Sequence, residues 1–176
     1  MLVVISGLPG TGKSAVAGAF ATRSGWTSVS VDPIEDALLR GGFPASEQTG
    51  VAAYEVARAV VEQNLDLGRS VVVDAVNDSE PARDTWRAAA RDGSGLAFVL
   101  LVLEDEREHR RRLEGRRRTL TDVPEPTWAE VTERSRTYEP WPGGDVLRVD
   151  AARPVDEIVG ALLARFAPDH ARSARP

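Results

Sequence analysis

A glycine-rich segment near the start of the chain has residue types and spacing suited to binding phosphate. Residues 7–14 have the sequence Gly-Leu-Pro-Gly-Thr-Gly-Lys-Ser, which matches the pattern G-x-x-x-x-G-K-[ST] in full. Glycines let the backbone wrap closely, so that consecutive N–H groups point at phosphate oxygens. Lys13 would reach the β- and γ-phosphates of a nucleoside triphosphate, and the Ser14 hydroxyl would ligate Mg²⁺. The alternative is a glycine-rich turn that matches by accident, but the segment follows an apolar strand and opens a helix, as the motif requires.

The sequence therefore predicts that ATP binds with Mg²⁺ on this P-loop and on the first turn of the following helix. The residues assigned to nucleotide binding are Gly7, Leu8, Pro9, Gly10, Thr11, Gly12, Lys13, Ser14 and Ala15. Composition supports the assignment, because the chain has 22 Lys and Arg residues and Lys13 is the only lysine among them. Lysine is a compact cation on a flexible stem, so its retention at this one position indicates a specific task.

Asp74 directly follows the apolar run Val71-Val72-Val73. Ligands of open parallel sheets bind at the carboxyl ends of the strands, so we expect Asp74 beside the P-loop. A carboxylate there would hold Mg²⁺ through water. The alternative is an ordinary polar residue that caps the end of a strand.

Asp32 ends the second predicted strand, and its position indicates which phosphoryl-transfer reaction the protein catalyses. A kinase must position a hydroxyl group and accept its proton, whereas an ATPase uses water. Asp32 is placed to do this opposite the γ-phosphate, and the sequence predicts it as a catalytic residue. The alternative is a helix N-cap, because Asp32 precedes Pro33 and Glu35 lies three residues on, as in a capping box. The two roles are compatible.

An arginine cluster lies at the start of the predicted mobile segment, residues 117–126, and its members are Arg110, Arg111, Arg112, Arg116, Arg117 and Arg118. Arg112 and Arg116 are spaced i, i+4 and so share one helix face. A guanidinium that closes over the phosphates would neutralise charge in the transition state. For most of these arginines a solvated helix face paired with acidic residues is the better interpretation. Contact with nucleic-acid phosphates is a further alternative.

Short β-rich runs alternate with helical stretches, which is typical of an α/β protein with a parallel sheet. The pattern predicts strands at residues 2–6, 27–31, 70–73, 96–103 and 146–149. It predicts helices at about 13–23, 33–40, 49–67, 79–91, 105–116, 127–138 and 155–166. Pro33 is expected at the first position of its helix. The apolar face of the 49–67 helix is assigned to Val51, Tyr54, Val56 and Val60.

Length and composition limit the remaining possibilities. A chain of 176 residues fits one domain, assigned to residues 1–167 with a lid at about 113–127 and a disordered tail at 168–176. Within the lid, residues 117–126 are predicted to be mobile. The chain has no cysteine and two histidines, which excludes disulfides, thiolate ligands and a histidine-rich metal site. No apolar run approaches the roughly 20 residues that span a bilayer, and no secretory signal is evident, so a cytoplasmic location is expected. The net charge of −5 disfavours a nucleic-acid partner.

The P-loop followed by residues 30–38, Ser-Val-Asp-Pro-Ile-Glu-Asp-Ala-Leu, resembles the small P-loop kinases. These include chloramphenicol phosphotransferase, the zeta toxins, the gluconate and shikimate kinases, and predicted kinases labelled AAA-family ATPases. Residues 74–77, Asp-Ala-Val-Asn, with Arg83 and Trp86, are similar to the D-A-T-N segment of those predicted kinases, with Val76 replacing threonine. Arg112, Leu113 and Arg116 are similar to their R-L-x-x-R pattern at the start of the lid.

The resemblance implies a role for each of these residues. Asp32 would accept the proton of the acceptor hydroxyl, and Arg112 and Arg116 would close on the ATP phosphates. Asp74, Asn77 and Arg83 would face the acceptor or the metal. The implied fold is a three-layer P-loop NTPase fold, with a five-stranded parallel sheet in the order 2-3-1-4-5 and a small helical lid.

The chain departs from the pattern at one informative position. Polynucleotide 5′-kinases of this group often carry an arginine three residues after the aspartate, where Glu35 stands in this sequence. The departure weakens the case for a nucleic-acid acceptor. Arg40 could substitute for the missing arginine and is assigned to substrate binding.

Three functions follow, in order of preference. The first is an ATP-dependent kinase that transfers the γ-phosphate to a hydroxyl of a small molecule. The second is a kinase for polynucleotide 5′-hydroxyls or, as in zeta toxins, for nucleotide sugars. The third, from another class, is a non-catalytic ATP-binding interaction module.

Overall fold

A parallel sheet of five strands forms the centre of the computed structural model, which describes residues 1–90, 95–116, 120–141 and 146–168. The strands are β1 (Leu2–Ser6), β2 (Thr27–Ser30), β3 (Val71–Asp74), β4 (Leu96–Val102) and β5 (Val146–Asp150). Their order is β2-β3-β1-β4-β5, and each neighbouring pair is parallel. The predicted fold class and strand order are confirmed.

Helices cover both faces of this sheet, so that the domain has three layers. They are α1 (Lys13–Ser24), α2 (Val31–Arg40), α3 (Glu47–Asp66), α4 (Glu80–Ala89), α5 (Glu106–Glu114), α6 (Trp128–Thr137) and α7 (Val155–Phe166). The helices α1 and α7 pack on one face of β1, and α3 and α4 pack on the other. No helix within the described ranges is long and apolar enough to cross a membrane.

The central strand β1 explains why two cores form. All five of its residues are buried, and successive side chains of a strand point to opposite faces. Val3 and Ile5 therefore pack with α1 and α7, while Leu2 and Val4 pack with α3 and α4. A strand covered on both faces needs a continuous apolar run, and the central position of β1 places the P-loop at the middle of the sheet's carboxyl edge.

The boundary between β2 and α2 differs from the prediction. The strand ends at Ser30 and the helix begins at Val31, so Asp32 lies in the first helical turn and not at the end of the strand. Ser30 occupies the N-cap without a side-chain hydrogen bond, and the predicted capping box of Asp32 and Glu35 is wrong. Pro33 is the third helical residue and not the first. Proline fits there because the N–H groups of the first turn have no partner within the helix, so a missing N–H costs no helical hydrogen bond.

The buried face of α3 also differs from the prediction. Tyr54 is half-buried as expected, but Val51, Val56 and Val60 are 58%, 44% and 36% exposed. The buried residues of this helix are Thr49, Ala53, Ala57 and Val61. Small alanine side chains let the helix axis approach its neighbours closely, so the alanine stripe faces the core and the larger valines face solvent.

Part of the predicted lid and tail lies outside the described residues, namely 117–119 and 169–176. Residues 121–123 are described, and each donates a backbone hydrogen bond to Asp36 on α2. These three residues therefore share one buried carboxylate as hydrogen-bond acceptor, and the mobility of residues 117–126 stays a prediction.

Candidate functional site

The P-loop connects β1 to α1 and is held in a tight turn by its own side chains. The backbone N–H and the hydroxyl of Thr11 both donate to the carbonyl oxygen of Leu8, at 3.3 and 2.8 Å. The Lys13 ammonium donates to the same carbonyl at 3.3 Å. Because α1 begins at Lys13, the first turn of the helix and its positive dipole end lie at the loop, as an anion site requires.

Two glycines of the loop are required by its geometry. Gly7 has a φ of +142°, and a Cβ there would lie 2.7 Å from the Leu101 carbonyl oxygen. Gly10 has a φ of +90°, and a Cβ there would lie 3.0 Å from the imidazole of His109. A larger residue at either position would displace the loop from β4 or from α5.

His109 connects α5 to the P-loop, a contact that no sequence motif indicates. Its Nε2 lies 2.7 Å from the carbonyl oxygen of Pro9, and since a carbonyl only accepts hydrogen bonds, this nitrogen carries the proton. The ring is buried and packs edge-on against Trp128 at 5.3 Å between ring centres. One imidazole thus holds the loop, α5 and α6 together.

Gly10→Ala is expected to weaken ATP binding by roughly 5- to 100-fold, because the backbone conformation disfavours a side chain and the new methyl group displaces His109. Isothermal titration with a non-hydrolysable ATP analogue measures the change. The control is Gly160→Ala, where a Cβ meets no atom within 4 Å and alanine favours the helix. Equal affinities for the Gly10 variant and the native chain would contradict the expectation.

A cavity of about 620 Å³ brings the predicted catalytic residues together. Both aspartates line it, Asp32 from the first turn of α2 and Asp74 from the end of β3. Asp74 is buried and accepts a hydrogen bond from the Ser30 hydroxyl at 3.1 Å. Ser14, at the start of α1, lies in the same cavity wall.

The predicted nucleotide-binding residues divide between this cavity and its surroundings. Those that line it are Gly10, Gly12, Lys13, Ser14 and Ala15. Leu8 and Thr11 instead line a separate cavity of about 480 Å³ beside β4, which Trp128 and Trp141 also line. Pro9 lines a third cavity, and Gly7 packs against the backbone of β4.

That third cavity, of about 340 Å³, adjoins the first. Its walls include Glu35 on α2, Val76 after β3, residues 123–126 and the start of α6. Three residues line both this cavity and the 620 Å³ cavity, namely Lys13, Asp32 and Arg116. The two cavities therefore meet at an ammonium, a carboxylate and a guanidinium.

Both predicted lid arginines line the 620 Å³ cavity. Arg112 donates to Glu108 and to the carbonyl oxygen of Ala151 after β5, each at 2.7 Å. Hydrogen bonds from Arg111 and Arg112 lower the pKa of Glu108 to about 2, so this carboxylate stays ionised and holds the side chain of Arg112. Arg116 lies 3.7 Å from Glu125. Arg117 and Arg118 lie outside the described residues.

Asn77, which is predicted to face the acceptor or the metal, makes hydrogen bonds within the fold. The residue is buried, with a φ of 55°, a region that asparagine tolerates. Its side-chain amide donates to the Ser6 hydroxyl at 2.8 Å, and its amide oxygen accepts from the Trp86 indole at 2.7 Å. The backbone N–H of Asn77 donates to the Tyr54 hydroxyl, and burial raises the pKa of Tyr54 above its ordinary value. The side chain of Asn77 is thereby used to join β1 to α4.

Arg83, the second residue predicted to face the acceptor or the metal, also makes contacts within the fold. It is 0% exposed, and its guanidinium donates to the backbone oxygens of Asn77, Glu139 and Pro140. It also pairs with Glu80 at 2.9 Å and lies 4.1 Å from the ring centre of Trp141. Residues 139–141 lie against this buried side chain.

Arg40, the remaining residue assigned to substrate binding, pairs with Asp36 on its own helix. Among the described residues, it is not one of those that line the 620 Å³ or the 340 Å³ cavity. The guanidinium of Arg40 is therefore used in an ion pair within α2, and its role in substrate binding stays a prediction.

Arg83→Met is expected to lower the free energy of unfolding by about 2–4 kcal/mol, because several buried carbonyl oxygens lose their donor. ATP affinity of the folded fraction should stay unchanged. Arg87→Met is the matched control, since Arg87 lies on the same helix and pairs with the same Glu80 but is partly exposed. Urea denaturation and ATP titration together decide the role. A variant with full stability but without phosphoryl transfer would contradict the structural role and support the substrate assignment.

The parallel sheet, the P-loop at the start of α1 and the aspartate on α2 define a nucleotide-binding protein with a P-loop kinase fold. The chain belongs to the AAA domain family, whose sequence profile matches residues 2–138.

Similar proteins agree with this class. The chain is 32% identical over 129 residues to a UPF0200 protein of Aeropyrum pernix, a match that covers 68% of this chain and 66% of that protein, just under two thirds. It is 26% identical to a gluconokinase from Sinorhizobium meliloti 1021, with a TM-score of 0.65 and coverage of 98% and 97%. A sugar kinase from Janibacter sp. HTCC2649 shares 18% identity with a TM-score of 0.72, and 97% of each chain is covered. The resemblance to small P-loop kinases is confirmed.

Proposed function

We propose that the protein is an ATP-dependent kinase that transfers the γ-phosphate of ATP to a hydroxyl group of a small molecule. One observation carries the proposal, namely that Lys13, Asp32 and Arg116 line both the 620 Å³ and the 340 Å³ cavity. Phosphoryl transfer needs the donor phosphate and the acceptor oxygen on opposite sides of one reacting phosphorus, with charged groups between them. We assign the larger cavity to ATP and the smaller one to the acceptor.

The nucleotide half of the site uses the P-loop and α1. Backbone N–H groups of the loop and the first turn of α1 bind the phosphate oxygens, and Lys13 turns from the Leu8 carbonyl to the β- and γ-phosphates. Ser14 and Asp74 would hold Mg²⁺, since both line the same cavity, both have oxygen-bearing side chains, and this cation prefers oxygen ligands. When bound, the cation would neutralise charge on the phosphates.

The transfer step follows from the position of Asp32. The acceptor oxygen forms a bond to the γ-phosphorus while the bond from that phosphorus to the β,γ-bridging oxygen breaks. Asp32 accepts the proton that the hydroxyl releases, and the bridging oxygen leaves as part of ADP. Arg116, at the junction of the two cavities, stabilises the charge on the transferring group, and Arg112 acts from the nucleotide side.

Two further observations favour a small acceptor. The smaller cavity has a volume of about 340 Å³, which suits a metabolite and not a polymer. The gluconokinase and the sugar kinase to which this chain is similar are, by their descriptions, kinases of small molecules.

Transfer of label from γ-³²P-ATP to a panel of sugars, other polyols, nucleosides and aminoglycoside or phenicol alcohols tests the proposal. Label in a small alcohol supports it. Label on an oligonucleotide with a free 5′-hydroxyl would instead identify a polynucleotide kinase. Tight ATP binding with no transfer to any acceptor would favour a non-catalytic binding module and overturn the proposal.

A further inference from the structure

Asp36 lies on α2 one turn after Asp32 and is only 1% exposed. Its Oδ1 accepts backbone hydrogen bonds from Thr121, Asp122 and Val123, at 2.9, 2.8 and 3.2 Å. Its Oδ2 accepts from the guanidinium of Arg40. A buried carboxylate is costly unless it is paired and hydrogen-bonded, and here both oxygens are satisfied.

The three donors belong to residues 120–126, a segment without helix or strand that we call the closing segment. Backbone N–H groups in such a segment have no ladder or helix partner, so Asp36 supplies the acceptor that regular structure would provide. Hydrogen bonds to an ionised acceptor are about twice as strong as neutral ones. The Asp122 N–H bond contributes most to lowering the pKa of Asp36 below its usual value, so the carboxylate remains charged at neutral pH.

The closing segment borders both cavities of the candidate site. Leu120 lines the 620 Å³ cavity, while residues 123–126 line the 340 Å³ cavity. The residues bound by Asp36 connect these two stretches, and Val123 itself lines the 340 Å³ cavity. Fixing their backbone therefore fixes one wall of each cavity.

We propose that Asp36 is a positioning residue that anchors the closing segment over the site and so retains the nucleotide. Asp32 and Asp36 are spaced i, i+4 on one helix, so α2 carries both the proposed proton acceptor and the anchor of the closing segment. The link to catalysis rests on the proposed function, whereas the anchor itself and its effect on nucleotide release do not.

Amide hydrogen exchange followed by NMR tests the anchor directly. Asp36→Ala is expected to reduce the protection of the amides of residues 121–123 by about 10- to 100-fold, and Asp36→Asn by less because its amide oxygen still accepts. Arg40→Gln is the matched control, since it removes the ion pair but leaves Oδ1 bonded to the three amides, and protection should change little. Unchanged protection of the amides of Val3 and Val72 in the sheet shows that each variant is folded.

Release of a fluorescent ATP analogue, mant-ATP, tests the consequence. In stopped-flow experiments, the Asp36 variants should release it about tenfold faster than the native chain, while the Arg40→Gln variant should not. If Asp36→Ala does not fold, Asp36→Asn provides the same test with a smaller effect.

Native protection of residues 121–123 in the folded Asp36 variants would overturn the anchor. Lost protection with unchanged mant-ATP release would overturn the positioning role. Failure of phosphoryl transfer in the native chain would affect only the proposed function.

Discussion

Lys13→Ala is expected to lower the affinity for ATP by about a hundredfold, because two phosphate groups lose a charge-assisted hydrogen bond. The ammonium lines the nucleotide cavity and rests on the Leu8 carbonyl at 3.3 Å, so it reaches the phosphates by a small rotation of its side chain. Isothermal titration with a non-hydrolysable analogue in Mg²⁺ buffer measures the loss.

The control for this variant is Arg23→Ala. It also removes one cation from α1, but at the exposed last turn, far from the P-loop. Its ATP affinity should match that of the native chain. If the Lys13 variant bound ATP within threefold of the native value, the proposed phosphate contact would be wrong.

Asp32→Asn is expected to reduce phosphoryl transfer strongly while leaving ATP binding nearly unchanged. The amide has nearly the shape of the carboxylate but cannot accept a proton, so transfer should fall by about 10²- to 10⁴-fold while ATP affinity stays within about twofold. Single-turnover transfer from γ-labelled ATP, with whichever acceptor takes label from the native chain, isolates the chemical step from product release.

Asp66→Asn, at the exposed end of α3, controls for the loss of one negative charge. It should leave both ATP binding and transfer unchanged. Full transfer activity in the Asp32 variant would show that another group accepts the proton. A large loss of ATP affinity would show that Asp32 serves the nucleotide half of the site instead.

Local signals were sufficient for much of the fold. The bounds of β1 and α7 agree with the prediction, because a strand buried on both faces and an apolar helix after Pro154 leave clear patterns in the sequence. Eight consecutive residues were enough to predict the P-loop. The start of α2 was placed two residues late, because a proline within the first turn does not mark the first helical residue.

Contacts between distant segments could not be predicted. His109 lies 100 residues from its partner Pro9, and Asp36 lies 85 residues from Thr121. Neither residue belongs to a motif, and a single sequence contains no record of such pairs. Arg83 shows the same limit, since its local pattern suggests an accessible arginine and only the fold brings residues 139–141 over it.

The burial of Lys13 also gives the chain a chemical reporter. Lys13 is the only lysine, and it is 7% exposed within the nucleotide cavity. Any lysine acylation detected by mass spectrometry must therefore have occurred inside the phosphate cradle. A bound triphosphate would cover this amine, so the extent of acylation would measure occupancy of the site directly. Competing nucleotides could then be ranked on the unmodified native sequence, without a fluorescent analogue or a known acceptor.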